Sequence, residues 1–90
     1  IEELESISKM SLDIFSKSFE SHLKKDIKKA NENIDVVEKL IEKCEEINSK
    51  ALNLGIQAVP VLYMVESIRR MGEYSADISE LTINYLILKN

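Results

Sequence analysis

Residues that interrupt helices are nearly absent from this 90-residue chain, which has two glycines and one proline. It also has one cysteine, Cys44, so an internal disulfide is excluded and a reducing compartment such as the cytoplasm is expected. Acidic residues outnumber basic ones, 16 against 12, and the net charge of −4 argues against nucleic acid as a partner. No apolar run approaches the roughly 20 residues that cross a bilayer, so no membrane insertion is expected.

The composition that remains, 44% hydrophobic and 31% charged, is typical of an ordered globular protein. A chain of this length forms one domain, which we take to cover residues 1–90. Because the sequence opens with Ile1 and is helix-like from its first residues, we expect this domain to be excised from a longer chain.

Apolar residues recur at intervals of three and four, the spacing of amphipathic helices. The clearest rows lie in the middle of the chain: Leu23, Ile27, Ala30, Ile34, Val37, Ile41 and Cys44, and beside them Leu40, Cys44, Ile47, Ala51 and Leu54. Gly55 directly after the second row predicts a helix C-cap, and Pro60 suits the first turn of the next helix.

That next helix is predicted from about Pro60 to Lys89. One of its apolar rows is continued by small and polar residues: Val61, Val65, Ile68, Gly72, Ser75, Ser79, Thr82 and Leu86. Towards the C-terminus large residues widen the stripe, which predicts that a partner segment covers them: Tyr74, Ile78, Leu81, Tyr85 and Leu88.

The first apolar row runs through Leu4, Ile7, Met10, Ile14, Phe15 and Phe19 and continues into the middle segment without glycine or proline. A single helix over residues 1–54 would be about 80 Å long, with nothing in the chain to fold against. We therefore predict a break between Glu20 and Asp26, with Asp26 as the N-cap of the second helix. The spacing leaves open one long helix that finds its partners in a dimer. With the break, the fold class is all-α, an antiparallel three-helix bundle similar to a spectrin repeat.

The third predicted helix carries a row of carboxylates, Glu73, Asp77 and Glu80, at intervals of four and three residues. Like charges at this spacing repel, so the row needs an explanation. Three interpretations stay open. The row is a solvated face that Arg69 and Arg70 neutralise, a charged docking surface that includes these arginines, or a cation site. A metal site would need a ligand from another helix, and Glu38 or Glu42 are the candidates.

Small residues accompany this charged row. Gly72 costs roughly 1 kcal/mol relative to alanine inside a helix, so a compensating contact is expected. Close packing of the second helix against Gly72, Ser75 and Ala76 would supply it. The only histidine, His22, falls at the predicted break, and Cys44 falls in an apolar row. No motif for nucleophilic catalysis or phosphate cradling is found, so we do not expect an enzyme.

Two runs resemble the PhoU family, regulators of phosphate transport built from three-helix units. The third helix of that family carries Glu-Arg-Ile-Gly-Asp and, a few residues later, Asn-Ile-Ala-Glu. Here Arg69-Arg70-Met71-Gly72-Glu73 and Asp77-Ile78-Ser79-Glu80 stand in the same frame, and Asp26-Ile27-Lys28-Lys29-Ala30 resembles the family's junction between its first two helices. The likeness covers nearly the whole chain, although only residues 69–80 are specific.

The chain also departs from the family pattern. Several members bind iron or zinc through a Glu/Asp-x-x-x-Asp motif, and Glu73 with Asp77 keeps such a pair, while Arg69 replaces the first carboxylate. The family's acidic cluster in the second helix falls on Val37, Glu38 and Ile41 in a gapless reading. A shifted register would instead bring in Asp35, or Glu38 with Glu42. The resemblance therefore implies at most an incomplete form of the family's metal site.

The resemblance implies a non-enzymatic regulator of phosphate uptake that contacts a transporter ATPase subunit or a sensor kinase. It also implies a homodimer, or pairing with a second PhoU-like bundle. The partner-binding residues would be Arg69, Arg70, Glu73 and Asp77. Two alternatives stay open: an iron- or zinc-binding bundle, and a structural dimerisation bundle without a ligand.

Overall fold

The structure, a computed structural model, describes the backbone of residues 2–89 and the side chains of residues 2–88. Its α-helices are α1 (Glu2–Lys24), α2 (Ile27–Ala51) and α3 (Ala58–Lys89), and a 3₁₀ helix, Leu52–Gln57, connects the last two. Within the described range, Lys25 and Asp26 are the residues outside helices. The all-α prediction is therefore confirmed.

The turn between α1 and α2 lies inside the predicted break. Lys25 has a left-handed backbone, with φ of 56°, and the Asp26 amide donates to the carbonyl of Ser21 at 2.9 Å. A left-handed residue followed by such a bond is the Schellman ending of a helix. The Asp26 carboxylate then accepts from the Lys29 amide at 3.0 Å and caps α2. The prediction of Asp26 as N-cap is confirmed, and the alternative of one continuous helix is wrong.

The connection between α2 and α3 differs slightly from the prediction. α2 ends at Ala51, because the chain tightens into the 3₁₀ helix before it reaches Gly55. Gly55 has φ of 63° and ψ of −131°, a conformation that side chains with a Cβ rarely adopt. Pro60 lies in the first turn of α3, as predicted.

Residues late in α2 contact residues early in α1, and residues early in α2 contact residues late in α1. Lys50 near the end of α2 pairs with Glu3 at 3.0 Å, and Lys29 near its start pairs with Glu20 at 2.8 Å. Midway, the Asn33 amide donates to the Ile14 carbonyl at 3.0 Å. The described residues therefore form a rod, with Cα extents of 53 × 19 × 15 Å.

The core changes character along this rod. The half nearest the 3₁₀ helix is filled by aliphatic side chains and Cys44: Ile7, Ile14, Val37, Leu40, Cys44, Ile47 and Val65. The other half is filled by small and polar ones: Ser18, Ser21, Ala30, Asn33, Ser75, Ser79 and Thr82. Four of the hydroxyls donate to a carbonyl three or four residues earlier in the same helix, as Ser18 Oγ does to Phe15 at 2.6 Å. The fifth, Ser79 Oγ, accepts from the Asn33 amide at 3.2 Å. Small side chains here let the helices pack closely without burying an unpaired polar group.

This arrangement corrects part of the predicted core. Leu23 and Phe19 are exposed, by 79% and 47%, and Ile34 and Ile41 are only half-buried. Serines of α1 occupy the inner positions instead, because the face that turns inward is set by all three helices together. Both rows predicted for α2 are buried in part: Ala30, Val37 and Cys44 of the first, and Leu40, Cys44, Ile47 and Ala51 of the second.

The ion pairs of Glu20 with Lys24 and Lys29 predict that the free energy of unfolding falls in acid. Hydrogen bonds from Lys29 and Lys24 lower the pKa of the Glu20 carboxyl from 4.5 to about 2. A depressed carboxyl pKa stabilises the fold above the unfolded value and loses that contribution as pH falls. We expect Glu20→Gln to flatten the pH dependence of the free energy of unfolding between about pH 4.5 and 2.

Urea unfolding at a series of pH values measures this effect. Glu42→Gln is the matched control, since Glu42 is an exposed residue of α2 for which no ion pair is found among residues 2–88. Identical pH profiles for wild type and Glu20→Gln would show that the Glu20 pair does not contribute.

Candidate functional site

An ion-pair network lies on the exposed side of α3 and includes a residue that the sequence analysis missed. Glu66 receives two hydrogen bonds from Arg69, Nη2 to Oε1 at 2.6 Å and Nε to Oε2 at 3.1 Å. This two-point geometry is the strong form of an Arg–carboxylate pair. Glu66 also accepts from Arg70 Nε at 3.3 Å. The spacing of Glu66 three and four residues before the arginines could have revealed it.

The network continues to Glu73, whose Oε1 accepts from Arg69 Nη1 at 3.0 Å. Arg69 thus lies between two carboxylates, with 32% of its side chain exposed, whereas the side chain of Arg70 is 66% exposed. The hydrogen bond from Arg69 is the main cause that lowers the pKa of the Glu66 carboxyl. The hydrogen bond to Glu66 is likewise the main cause that raises the pKa of Arg69. Arg69 is therefore neutralised within its own helix, and Arg70 keeps an accessible cation.

The remaining predicted carboxylates, Asp77, Glu80 and Glu38, are exposed. Within residues 2–88 no hydrogen bond or ion pair is found for any of them. In the same range, no group of three or more His, Cys, Asp or Glu side chains lies close enough to hold a metal ion. These carboxylates and Glu73 do not make a complete coordination site there, and the metal hypothesis stays a prediction that needs ligands from elsewhere.

Gly72 lies on the face of α3 that packs against α2. A Cβ built on Gly72 would come within 2.7 Å of Leu40 Cδ2 and 3.7 Å of Val37 Cγ1. Carbon atoms do not approach to 2.7 Å, so an alanine at this position would force Leu40 to move. One turn on, Ser75 is fully buried and donates to the Met71 carbonyl at 2.8 Å, and Ala76 packs against the aliphatic core.

The single histidine lies near the end of α1 and contacts α3. His22 Nδ1 lies 2.9 Å from Thr82 Oγ1, and Thr82 donates its only hydroxyl proton to the Ile78 carbonyl. The His22 ring also lies near that of Tyr85, with centroids 6.5 Å apart. The contact was not predicted, because the sequence places Thr82 sixty residues away.

Cys44 is a free thiol in the aliphatic half of the core. Burial raises the pKa of the Cys44 thiol, and the charge of Arg69 acts in the opposite direction. A protonated, enclosed thiol is a poor nucleophile.

The assembled features are an all-helical rod, a glycine in close contact with the neighbouring helix and a network of charged side chains on the last helix. Comparison with known families matches residues 4–82 to the PhoU domain. The chain therefore belongs to the PhoU domain family. No curated protein and no solved structure matches it.

The contact between Gly72 and Leu40 predicts that the effect of Gly72→Ala on stability depends on the residue at position 40. Alanine gains about 1 kcal/mol in helix propensity but incurs overpacking that typically costs 1–3 kcal/mol. We expect Gly72→Ala to destabilise the fold by about 1 kcal/mol. In a Leu40→Val background, which lacks the Cδ2 atom, the same change should stabilise by about 0.5–1 kcal/mol.

Chemical denaturation of the four proteins in this double-mutant cycle gives the coupling between the two positions. Equal effects of Gly72→Ala in both backgrounds would mean that Leu40 does not restrict this position.

Proposed function

We propose that this chain is a regulatory module of phosphate uptake that acts by protein contact. The observation that carries the proposal is the PhoU domain over residues 4–82. Within that class, we propose one antiparallel three-helix unit of the PhoU type. The opposite stepping of the α1–α2 contacts and the close approach of Gly72 to Leu40 support this arrangement. The partner would be a phosphate transporter's ATPase subunit or a sensor kinase in the cytoplasm.

The contact surface that we propose is the charged flank of α3, defined as Glu66, Arg69, Arg70, Glu73 and Asp77. Arg69 is held by two carboxylates, so it shapes the flank rather than offering charge to a partner. Arg70 and Asp77 offer charges of opposite sign at a spacing of seven residues, two helical turns apart on one face. A partner that carries a complementary acid and base at that separation would be recognised without the network having to open.

The proposal is for binding rather than catalysis. The one histidine is engaged with Thr82, and the one cysteine is enclosed in the core. Arg70 and Asp77 instead lie on an open surface, where side chains contact another macromolecule more readily than they exclude water from a reaction.

Phosphate uptake in cells tests this function. In cells that carry Arg70→Glu, we expect uptake of radiolabelled phosphate to lose its dependence on phosphate supply, because the charge that meets the partner is reversed. The ratio of the starved to the replete uptake rate should fall towards one. Circular dichroism of the purified variant verifies that the helices persist.

Lys28→Glu is the matched control, since Lys28 is an exposed cation of α2 outside the charged flank. It should keep the wild-type ratio. An unchanged ratio in cells with Arg70→Glu would exclude the charged flank as the regulatory contact. If deletion of the whole chain left phosphate uptake unchanged, regulation of phosphate uptake by this protein would be excluded.

We further propose that the unit pairs with a second copy of itself through an apolar face formed by exposed side chains of α1 and α3. Five large residues of this face are about half exposed or more: Leu12, Phe19, Tyr74, Leu81 and Tyr85. The contact of His22 with Thr82 places the two helices side by side there. A face that follows a 53 Å rod is long enough to supply the roughly 800 Å² per partner of a stable interface.

Light scattering tests the pairing. Leu81 is 62% exposed, and Leu81→Glu would place a charge in the paired face. We expect wild type to have the mass of a dimer and Leu81→Glu that of a monomer. Leu52→Glu, an equally drastic change of a residue that is 71% exposed outside this face, should stay dimeric. A monomeric wild type would exclude pairing of identical copies.

A further inference from the structure

The two halves of the rod are held together by different kinds of contact. We call residues 15–35 and 75–88 the polar half, and the rest of the described chain the aliphatic half. All members of the buried hydrophobic cluster belong to the aliphatic half, from Ile7 on α1 to Val65 on α3. Within the described chain, the buried residues of the polar half are serines, Ala30, Asn33 and Thr82.

Large apolar side chains of the polar half lie towards its surface. Phe19, Leu23 and Leu81 are 47%, 79% and 62% exposed, and Ile27 and Ile78 are half-buried. A fully buried aliphatic side chain contributes far more free energy than a buried serine, whose hydroxyl has to leave water as well. The polar half therefore gains less stability from burial than the aliphatic half does.

Side-chain contacts between helices take the place of this burial in the polar half. Asn33 of α2 forms hydrogen bonds with both other helices. His22 Nδ1 of α1 lies 2.9 Å from Thr82 Oγ1 of α3, and Lys29 of α2 pairs with Glu20 of α1 at 2.8 Å. Each helix is thus tied to the other two, and displacing one of them breaks contacts of both others. Contacts coupled in this way are lost together rather than one at a time.

The aliphatic half contains what it needs to hold its three segments together. Its buried cluster is drawn from all three helices, and the packing of Gly72 against Leu40 lies within it. The 3₁₀ helix that joins α2 to α3 also belongs to this half. None of these contacts uses a side chain of the polar half, so the aliphatic half does not depend on the polar half being closed.

We propose that the polar half opens as one cooperative unit while the aliphatic half stays folded. Opening removes most of the apolar face of α1 and α3, because Phe19, Leu81 and Tyr85 belong to the polar half. The part of the charged flank from Glu66 to Glu73 lies in the aliphatic half and keeps its ion pairs. The molecule thereby loses one surface and retains the other. This inference goes beyond the regulatory function and does not rest on it.

Hydrogen exchange of the full chain, followed by NMR in low concentrations of urea, tests this opening. We expect the amides of Ser21, Asn33 and Ser79, one on each helix, to share one opening free energy and one urea dependence. That urea dependence should be smaller than the one for complete unfolding, because less surface is exposed. These amides should exchange about a hundredfold faster than those of Cys44 and Val65.

Two substitutions separate partial from complete opening. Ile47→Val weakens the aliphatic half, which is still folded when the polar half opens. It should speed exchange at Cys44 and Val65 about fivefold and leave the polar half unchanged. Asn33→Ala removes contacts that are lost in both kinds of opening, so it should speed exchange in both halves about tenfold. Asn31→Ala is the matched control on the exposed side of α2 and should change neither.

Equal acceleration of both halves by Ile47→Val would show that the rod unfolds as one unit and would overturn the proposal. Polar-half exchange that does not depend on urea would also overturn it, because each helix would then fray separately. Both results come from proteins that keep Asn33, so they do not require Asn33→Ala to fold. Phosphate uptake and pairing are measured with other variants, and each proposal can fail independently.

Discussion

The packing of α3 against α2 depends on the contact between Gly72 and Leu40. A Cβ at position 72 would come within 2.7 Å of Leu40 Cδ2, so the position accepts a larger residue only if the Leu40 side chain moves. The small residues Ser75 and Ser79 lie on the same face of α3 as Gly72 and are buried with it. Large side chains of the same helix lie on its outward faces, Tyr74 and Leu81 among them. The charged and apolar surfaces of α3 are the faces that remain once this side of the helix is packed against its neighbours.

The side chains of the charged flank of α3 are held in place by ion pairs although they are not buried. Glu66 holds one arginine at two points and touches a second, so the first is fixed while the second stays accessible. Each bond is short in sequence, three or four residues, and therefore forms as soon as the helix does. The flank therefore takes this shape within α3 alone, so the contact that we propose for it would lose little conformational entropy.

Sequence reasoning reached the start of α2 and the first turn of α3, because these depend on local chemistry, but it placed the end of α2 at Leu54 instead of Ala51. The cap at Asp26 and the position of Pro60 follow from backbone needs that a few neighbouring residues satisfy. It reached the core less well. Hydrophobicity alone placed Phe19 and Leu23 inside, whereas serines of α1 occupy the inner positions, since helix rotation depends on all three partners at once. The Arg69–Glu66 pair was within reach of spacing arguments, but the contact of His22 with Thr82 was not, because only the tertiary fold brings them together.

Asn33 gives the polar half of the core a further property. Its buried amide nitrogen donates one hydrogen to the carbonyl of Ile14 and the other to the hydroxyl of Ser79, so a single side chain on α2 is tied to both neighbouring helices. If α1 or α3 moved away from α2, one of these hydrogens would lose its acceptor in a place that water does not reach. Aliphatic contacts alone impose no such directional requirement, since one methyl group can replace another. The amide thus holds all three helices together at a single point, and loosening either of its neighbours would leave a polar hydrogen unpaired inside the molecule.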